Sequence, residues 1–225
     1  PYWSWYADAI NSYLEQHFFF FLTCERLLKA MSIERRYKNG PNWTRKESRR
    51  FSDSKRWLAV KRRETARFLN LAFDNLLIHS RILLDRATAL TRAFLKNERS
   101  LLSFASFNKH RSFFLKPENI PHGNHEEYAK YVRERTEWFP SLLGLARDKF
   151  VVHRNRPFYK LYGWSKNGAS EMEMVLLTSK TNDPANLGAA DCKVVNPLEL
   201  ISNIVDYLSF TGNYMKDHAE KSNGR

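Results

Sequence analysis

The chain has 225 residues, 43% of them hydrophobic and 14% aromatic, enough to build a core without disulfide or metal staples and too many to leave the chain disordered. Lys and Arg number 37 against 24 Asp and Glu, a formal charge of +13. Such an excess draws in polyanions such as nucleic acid or an acidic membrane surface; the alternative is a basic surface with no specific partner.

The first predicted helix runs from about Ser4 to Tyr37, with Ile10, Tyr13, Leu14, Phe18, Phe21, Leu22, Leu28 and Met31 at three- and four-residue steps. Core packing is the expected role of its Phe run. That run, Phe18 to Leu22, is far shorter than the ~18 residues that cross a bilayer, so no membrane partner is expected. Asn39-Gly40-Pro41-Asn42 breaks the helix. A basic loop is expected over 39–53, leading into a basic stretch to Arg63 that includes Arg49, Arg50, Arg62 and Arg63, interleaved with Trp43, Phe51 and Trp57. Charge with aromatics can bind phosphates and stack bases; the alternative is a solvated loop before a helix with an exposed basic face.

Asp53 or Ser54 can cap the next helix, whose apolar rhythm is Phe68, Leu69, Ala72, Phe73, Leu76, Leu83, Leu84, Ala87, Leu90 and Phe94. A break is expected near Asn97 to Ser100, then a shorter helix from Leu101 to Leu115. Another helix is capped at or just before Asn124, with Glu126 and Glu127 in its first turn, where the dipole favours acids. Pro140 kinks or restarts it, and the continuation reaches about His153. The period then changes. Apolar runs flank Lys166-Asn167-Gly168, and Asn-Gly between such runs predicts a β-hairpin over 158–177. Residues 179–190 read as loop. A C-terminal helix over 196–217 starts at Asn196-Pro197-Leu198-Glu199 and buries Leu198, Ile201, Val205 and Leu208. The predicted fold is mainly α: a single helical-bundle domain over 1–225, up-and-down, with the hairpin inserted before the last helix.

Most enzyme signatures are absent: no Walker loop, dinucleotide fingerprint, HExxH or GxSxG. His122 and His125 have no third ligand nearby, and no metal or cofactor is expected. Cys24 and Cys192 have neither metal nor redox spacing and read as reduced thiols of a cytoplasmic protein. His79 with Asp85 and Arg86 reads as a satisfied core or interface network, and His110 as structural.

The segment Leu145-Ala146-Arg147-Asp148-Lys149-Phe150-Val151-Val152-His153-Arg154-Asn155-Arg156-Pro157 resembles the signature of the HEPN superfamily (higher eukaryotes and prokaryotes nucleotide-binding). That signature is an Arg with a polar neighbour, then a His after four to six residues; here Arg147, Asp148 and His153 fill it. The resemblance implies a compact helical bundle with the pattern late in the chain, and an active cleft shared by a homodimer. It also implies either a metal-independent ribonuclease, as in toxin–antitoxin and phage-defence systems, or a non-catalytic binding or dimerisation module. RNA, a second copy of the chain and an antitoxin or other protein are the partners it suggests.

The residue types suit the reaction. Cleavage through the ribose 2′-OH needs a proton-transfer group near neutral pH, a role for His153, and a fixed cation for the phosphorane, a role for Arg147. Asp148 would orient one of them; Lys149, Arg154 and Arg156 would hold the RNA backbone. Positions six apart lie about 120° apart on a helix, so either His153 has left the helix or the pair acts across a dimer. The competing reading pairs Arg147 with Glu137 and leaves His153 as a helix-terminal residue favoured by the dipole.

Overall fold

A computed structural model describes residues 2–38, 45–91, 105–119, 125–140, 143, 160–166, 169–177 and 192–223, with side chains for 4–29, 64–65, 67–91, 105–119, 125–140, 143 and 196–217. The chain is mainly helical. Helices α1 (Tyr2–Lys38), α2 (Arg45–Thr91), α3 (Phe107–Phe114) and α4 (Glu126–Arg135) precede strands β1 (Lys160–Lys166), β2 (Ala169–Leu177) and β3 (Cys192–Val195), and α5 (Pro197–Asn223) follows. Two compact units divide it, one of residues 1–11 with 77–225 and one of residues 12–76.

In the unit of residues 12–76, α1 and α2 meet through Phe20 and Phe73, ring centroids 5.6 Å apart. Tyr13, Cys24 and Leu27 of α1 and Leu69, Ala72 and Leu76 of α2 complete its core. The Phe run divides: Phe20 is fully buried, whereas Phe18 is 71% exposed. Consecutive helical residues point about 100° apart, so a Phe run cannot all face one core. Cys24 is a free, buried thiol, and burial pushes its pKa up to about 12, which keeps it protonated and unreactive near neutrality.

The expected basic loop is corrected over part of its length. Residues 45–53 belong to α2, which begins at Arg45; residues 39–44 lie outside the described residues. No Gly or Pro falls between Arg45 and Thr91, and Arg, Lys and Glu are good helix formers, so nothing local delays the start to Asp53.

The other unit is built on aromatics. Phe107 of α3 packs edge-on to Phe139 at 4.6 Å and to Tyr207 of α5 at 4.8 Å. Tyr131 of α4 stacks on Phe210 of α5 at 3.7 Å. Leu83, Leu84, Ala87 and Leu90 of α2 and Ala129 and Val132 of α4 are buried with them. Ser106 caps α3, its Oγ accepting from the Lys109 N–H at 3.4 Å. A second acceptor reinforces the cap: Asp85 Oδ1 takes the Phe107 N–H at 2.7 Å. The same carboxylate pairs with the buried Arg81, Nε to Oδ2 3.2 Å, whose guanidinium sits 4.6 Å over the Phe139 ring. Asp85 thus engages Arg81, while Arg86 lies 5.1 Å over Trp5.

Helix α4 starts one residue later than expected. His125 is its N-cap, at φ 71°, with Glu126 and Glu127 in the first turn. A left-handed conformation is costly for a residue with a Cβ, and the ring is held there by a 2.7 Å hydrogen bond between Nδ1 and Tyr214 Oη. At the other end Arg111 Nε donates to Thr136 O and Oγ1, both at 3.1 Å.

Strand β2 pairs antiparallel with β1, Lys160 opposite Val175 through Lys166 opposite Ala169, and with β3, Met174 opposite Val195. Asn167 and Gly168 lie outside the described residues, and β3 is a strand the sequence reading did not anticipate. Helix α5 opens as expected: Asn196 Oδ1 accepts from the Leu198 N–H at 2.9 Å and the Glu199 N–H at 3.4 Å. Its buried face is a correction. Leu198 and Val205 are exposed, at 60% and 48%, Ile201 and Leu208 are half-buried, and the core side carries Leu200, Ile204, Tyr207, Thr211 and Tyr214. Both faces offer aliphatics at helical spacing, and the two tyrosines decide between them because they bury more area each.

Replacing Asp85 with Ala removes the acceptor at the α3 start and the carboxylate beside a buried guanidinium. Urea denaturation should show a loss of roughly 2–3 kcal/mol, with Asp85→Asn losing less.

Candidate functional site

Arg147, Asp148, Lys149, His153, Arg154 and Arg156 lie outside the described residues. The structure does describe what leads up to them. After α4, Thr136 and Phe139 are fully buried and Leu143 is almost so, and Trp138 Nε1 donates to Arg135 O at 2.8 Å. The chain therefore leaves α4 anchored in the core four residues before Arg147.

Arg49, Arg50, Arg62 and Arg63 all fall on α2, but not on one face. At about 100° per residue, Arg49 and Arg63 lie within about 40° of each other, while Arg50 and Arg62 sit about 100° away on opposite sides. Sequence neighbours are separated because a helix turns between them.

The densest chemistry among the described side chains is a buried polar chain. His110 Nε2 and Tyr128 Oη are hydrogen-bonded at 2.9 Å, and Tyr128 Oη and Tyr207 Oη at 3.0 Å. Buried threonines lie beside them: Thr88 Oγ1 donates to Leu84 O at 2.9 Å, Thr91 Oγ1 donates to Thr88 O at 2.8 Å, and Thr211 is buried on α5. All are buried. The bonded rings come from α3, α4 and α5, so a single network ties three helices together.

Desolvation holds this network neutral. It pushes the Tyr128 phenol well above its ordinary value and Tyr207 up to about 12, and lowers His110 to about 3. None of the three changes charge near neutral pH, and none is reached by solvent. The arrangement is sealed from solvent and positions helices. The structural role expected of His110 agrees with this, and its partner is Tyr128. A Tyr eighteen residues away leaves no local signal.

Other titratable groups stand apart from it. Burial lowers the pKa of Arg111, and the negative charge of Glu137 opposes that shift. His125 is engaged by Tyr214. Among the described residues no group of three His, Cys, Asp or Glu is placed to hold a metal ion, and no helix is long and apolar enough to cross a membrane.

His110 gives the fold a pH dependence. Its folded pKa, about 3, lies below the ordinary 6.5, so the unfolded chain binds the extra proton and stability falls as pH drops from about 6.5 toward about 3. Unfolding measured at pH 7 and pH 4.5 should differ by about 2–3 kcal/mol from this group. His110→Gln, which cannot titrate, should flatten the slope; an unchanged slope would assign it to carboxylates.

Comparison with protein-family models, with curated proteins and with solved structures finds no match to this chain.

Proposed function

We propose that the chain is a HEPN-like, metal-independent endoribonuclease of the cytoplasm, a toxin or phage-defence component acting as a homodimer and restrained by an antitoxin or other protein partner. The observation that carries this reading is Arg147-Asp148 followed by His153 in a basic, mainly helical chain. An up-and-down bundle with β1 and β2 as a hairpin before α5 is the fold that goes with it. Placement after the buried Phe139 and Leu143 supports it further, because a reactive pair needs a rigid base.

In this reading His153 removes the ribose 2′-OH proton. The 2′-oxygen attacks phosphorus, the P–O5′ bond breaks, and the departing 5′-oxygen takes a proton from water. The products carry a 2′,3′-cyclic phosphate and a 5′-hydroxyl. Arg147 donates to the phosphorane oxygens, whose charge grows in the transition state. Asp148 orients one of the two, and Lys149, Arg154 and Arg156 hold flanking phosphates. Two copies meeting at a two-fold axis would supply the pair from both chains. A second reading, a non-catalytic RNA-binding module, is favoured by the basic stretch lying on a continuous helix, α2, since a rigid charged rod binds polyanions without chemistry.

Cleavage of RNA by the purified protein in EDTA separates the two. The nuclease reading expects cutting by the wild type and a loss of at least about 100-fold in His153→Ala and Arg147→Ala, with far-UV dichroism unchanged. A wild type that binds RNA without cutting it leaves the binding module, and a His153→Ala variant that cuts equally well removes the assigned role.

A further inference from the structure

The basic residues of α2 are not spread evenly around it. Between 45 and 67 the helix carries ten Lys or Arg and three acids. Arg45, Arg49, Arg56, Arg63 and Arg67 fall at steps of four, seven, seven and four residues. At 3.6 residues per turn these positions share an arc of about 40°. Within 45–67 the arc contains five positions, and all five are arginine. Glu47, Asp53 and Glu64 lie outside it. So do the other five cations, Lys46, Arg50, Lys55, Lys61 and Arg62, three of which are lysine. Arg67 is exposed, and the fully buried Leu69 and Leu76 of the same helix lie on its far side.

We infer that this arginine file is a docking face for the phosphate backbone of double-stranded RNA. The inference deepens the reading of RNA as the ligand and rests on it. Charge complementarity chooses a polyanion, and residue type narrows the choice. Arginine forms planar, bidentate hydrogen bonds to phosphate oxygens where lysine offers a point charge, and only arginine occupies the arc. Geometry narrows it again. Twenty-two residues at 1.5 Å rise give a straight file about 33 Å long. A file on one side of a rod suits a partner that is itself stiff and presents phosphates at fixed intervals. A duplex does so, and its recognition runs mainly through backbone and shape. A flexible single strand would wrap the rod and engage all ten cations alike.

The test removes five charges in two ways. One variant carries Arg→Gln at 45, 49, 56, 63 and 67. The other carries Gln at Lys46, Arg50, Lys55, Lys61 and Arg62. Both lose the same net charge, and Gln matches Arg and Lys in helix propensity, so dichroism should not change. Binding of a 24-base-pair RNA duplex is followed by fluorescence anisotropy across a salt series, in a His153→Ala background that prevents cutting. Each phosphate contact contributes about 0.9 to the slope of log K against log salt. The arc variant should flatten that slope by about 4 and the other variant by less than about 1. Equal losses in the two variants would overturn the arginine face while leaving RNA binding intact. An unmutated α2 that binds neither the duplex nor its single strand would overturn both the face and the reading of RNA as ligand. Equal discrimination between the variants by the single strand would overturn the preference for a duplex.

Discussion

One constraint governs the helical unit built around α3, α4 and α5: three polar aromatic side chains have been taken out of water and must satisfy one another. An unpaired hydroxyl or imidazole in such a place costs about 1–3 kcal/mol. His110, Tyr128 and Tyr207 avoid that cost only when α3, α4 and α5 meet in one arrangement. Apolar packing would accept small slides of one helix on another. Hydrogen bonds of 2.9 and 3.0 Å do not, so the network selects a register as well as supporting a core.

The neighbouring contacts follow from that register. With α3 fixed, Asp85 can receive the Phe107 N–H and Arg81 at once, and Arg111 can close on Thr136. The far end of α4 is thereby set before the chain runs on toward Arg147. In the proposed nuclease this separates tasks. Neutral groups that never titrate near pH 7 hold the frame, and the ionisable pair works beyond it. A His already spent in the core cannot compete for the substrate's proton.

What could be read from the sequence depended on range. Helix α5 declared its start through Asn196, Pro197 and Glu199, because a cap is decided by residues three apart. Its buried side was read from the wrong phase, because Leu198 and Val205 compete with Leu200 and Ile204 on equal terms until Tyr207 and Tyr214 find partners. The start of α2 was placed too late, since Asp53 looked like a cap while the residues from Arg45 were already helix formers. The polar chain was beyond reach: nothing near His110 points to Tyr128, and nothing near Tyr128 points to Tyr207. The arginine file was present in the sequence throughout, but its phase becomes meaningful only when one uninterrupted helix carries all five positions. Arg147, Asp148 and His153 remain a reading of the sequence.

The bonds that define the unit also fix when it can form. Tyr128 meets Tyr207 across 79 residues, and His125 meets Tyr214 across 89. During synthesis, α2, α3 and α4 all emerge before either partner on α5 exists. Until then the Tyr128 hydroxyl lacks its partner on α5, and His125 lacks the Tyr214 hydroxyl. Long-range closure of this kind is slow, and a half-made core exposes its apolar surface meanwhile. The frame is complete only after α5 has been synthesised, well after the segment bearing Arg147 and His153.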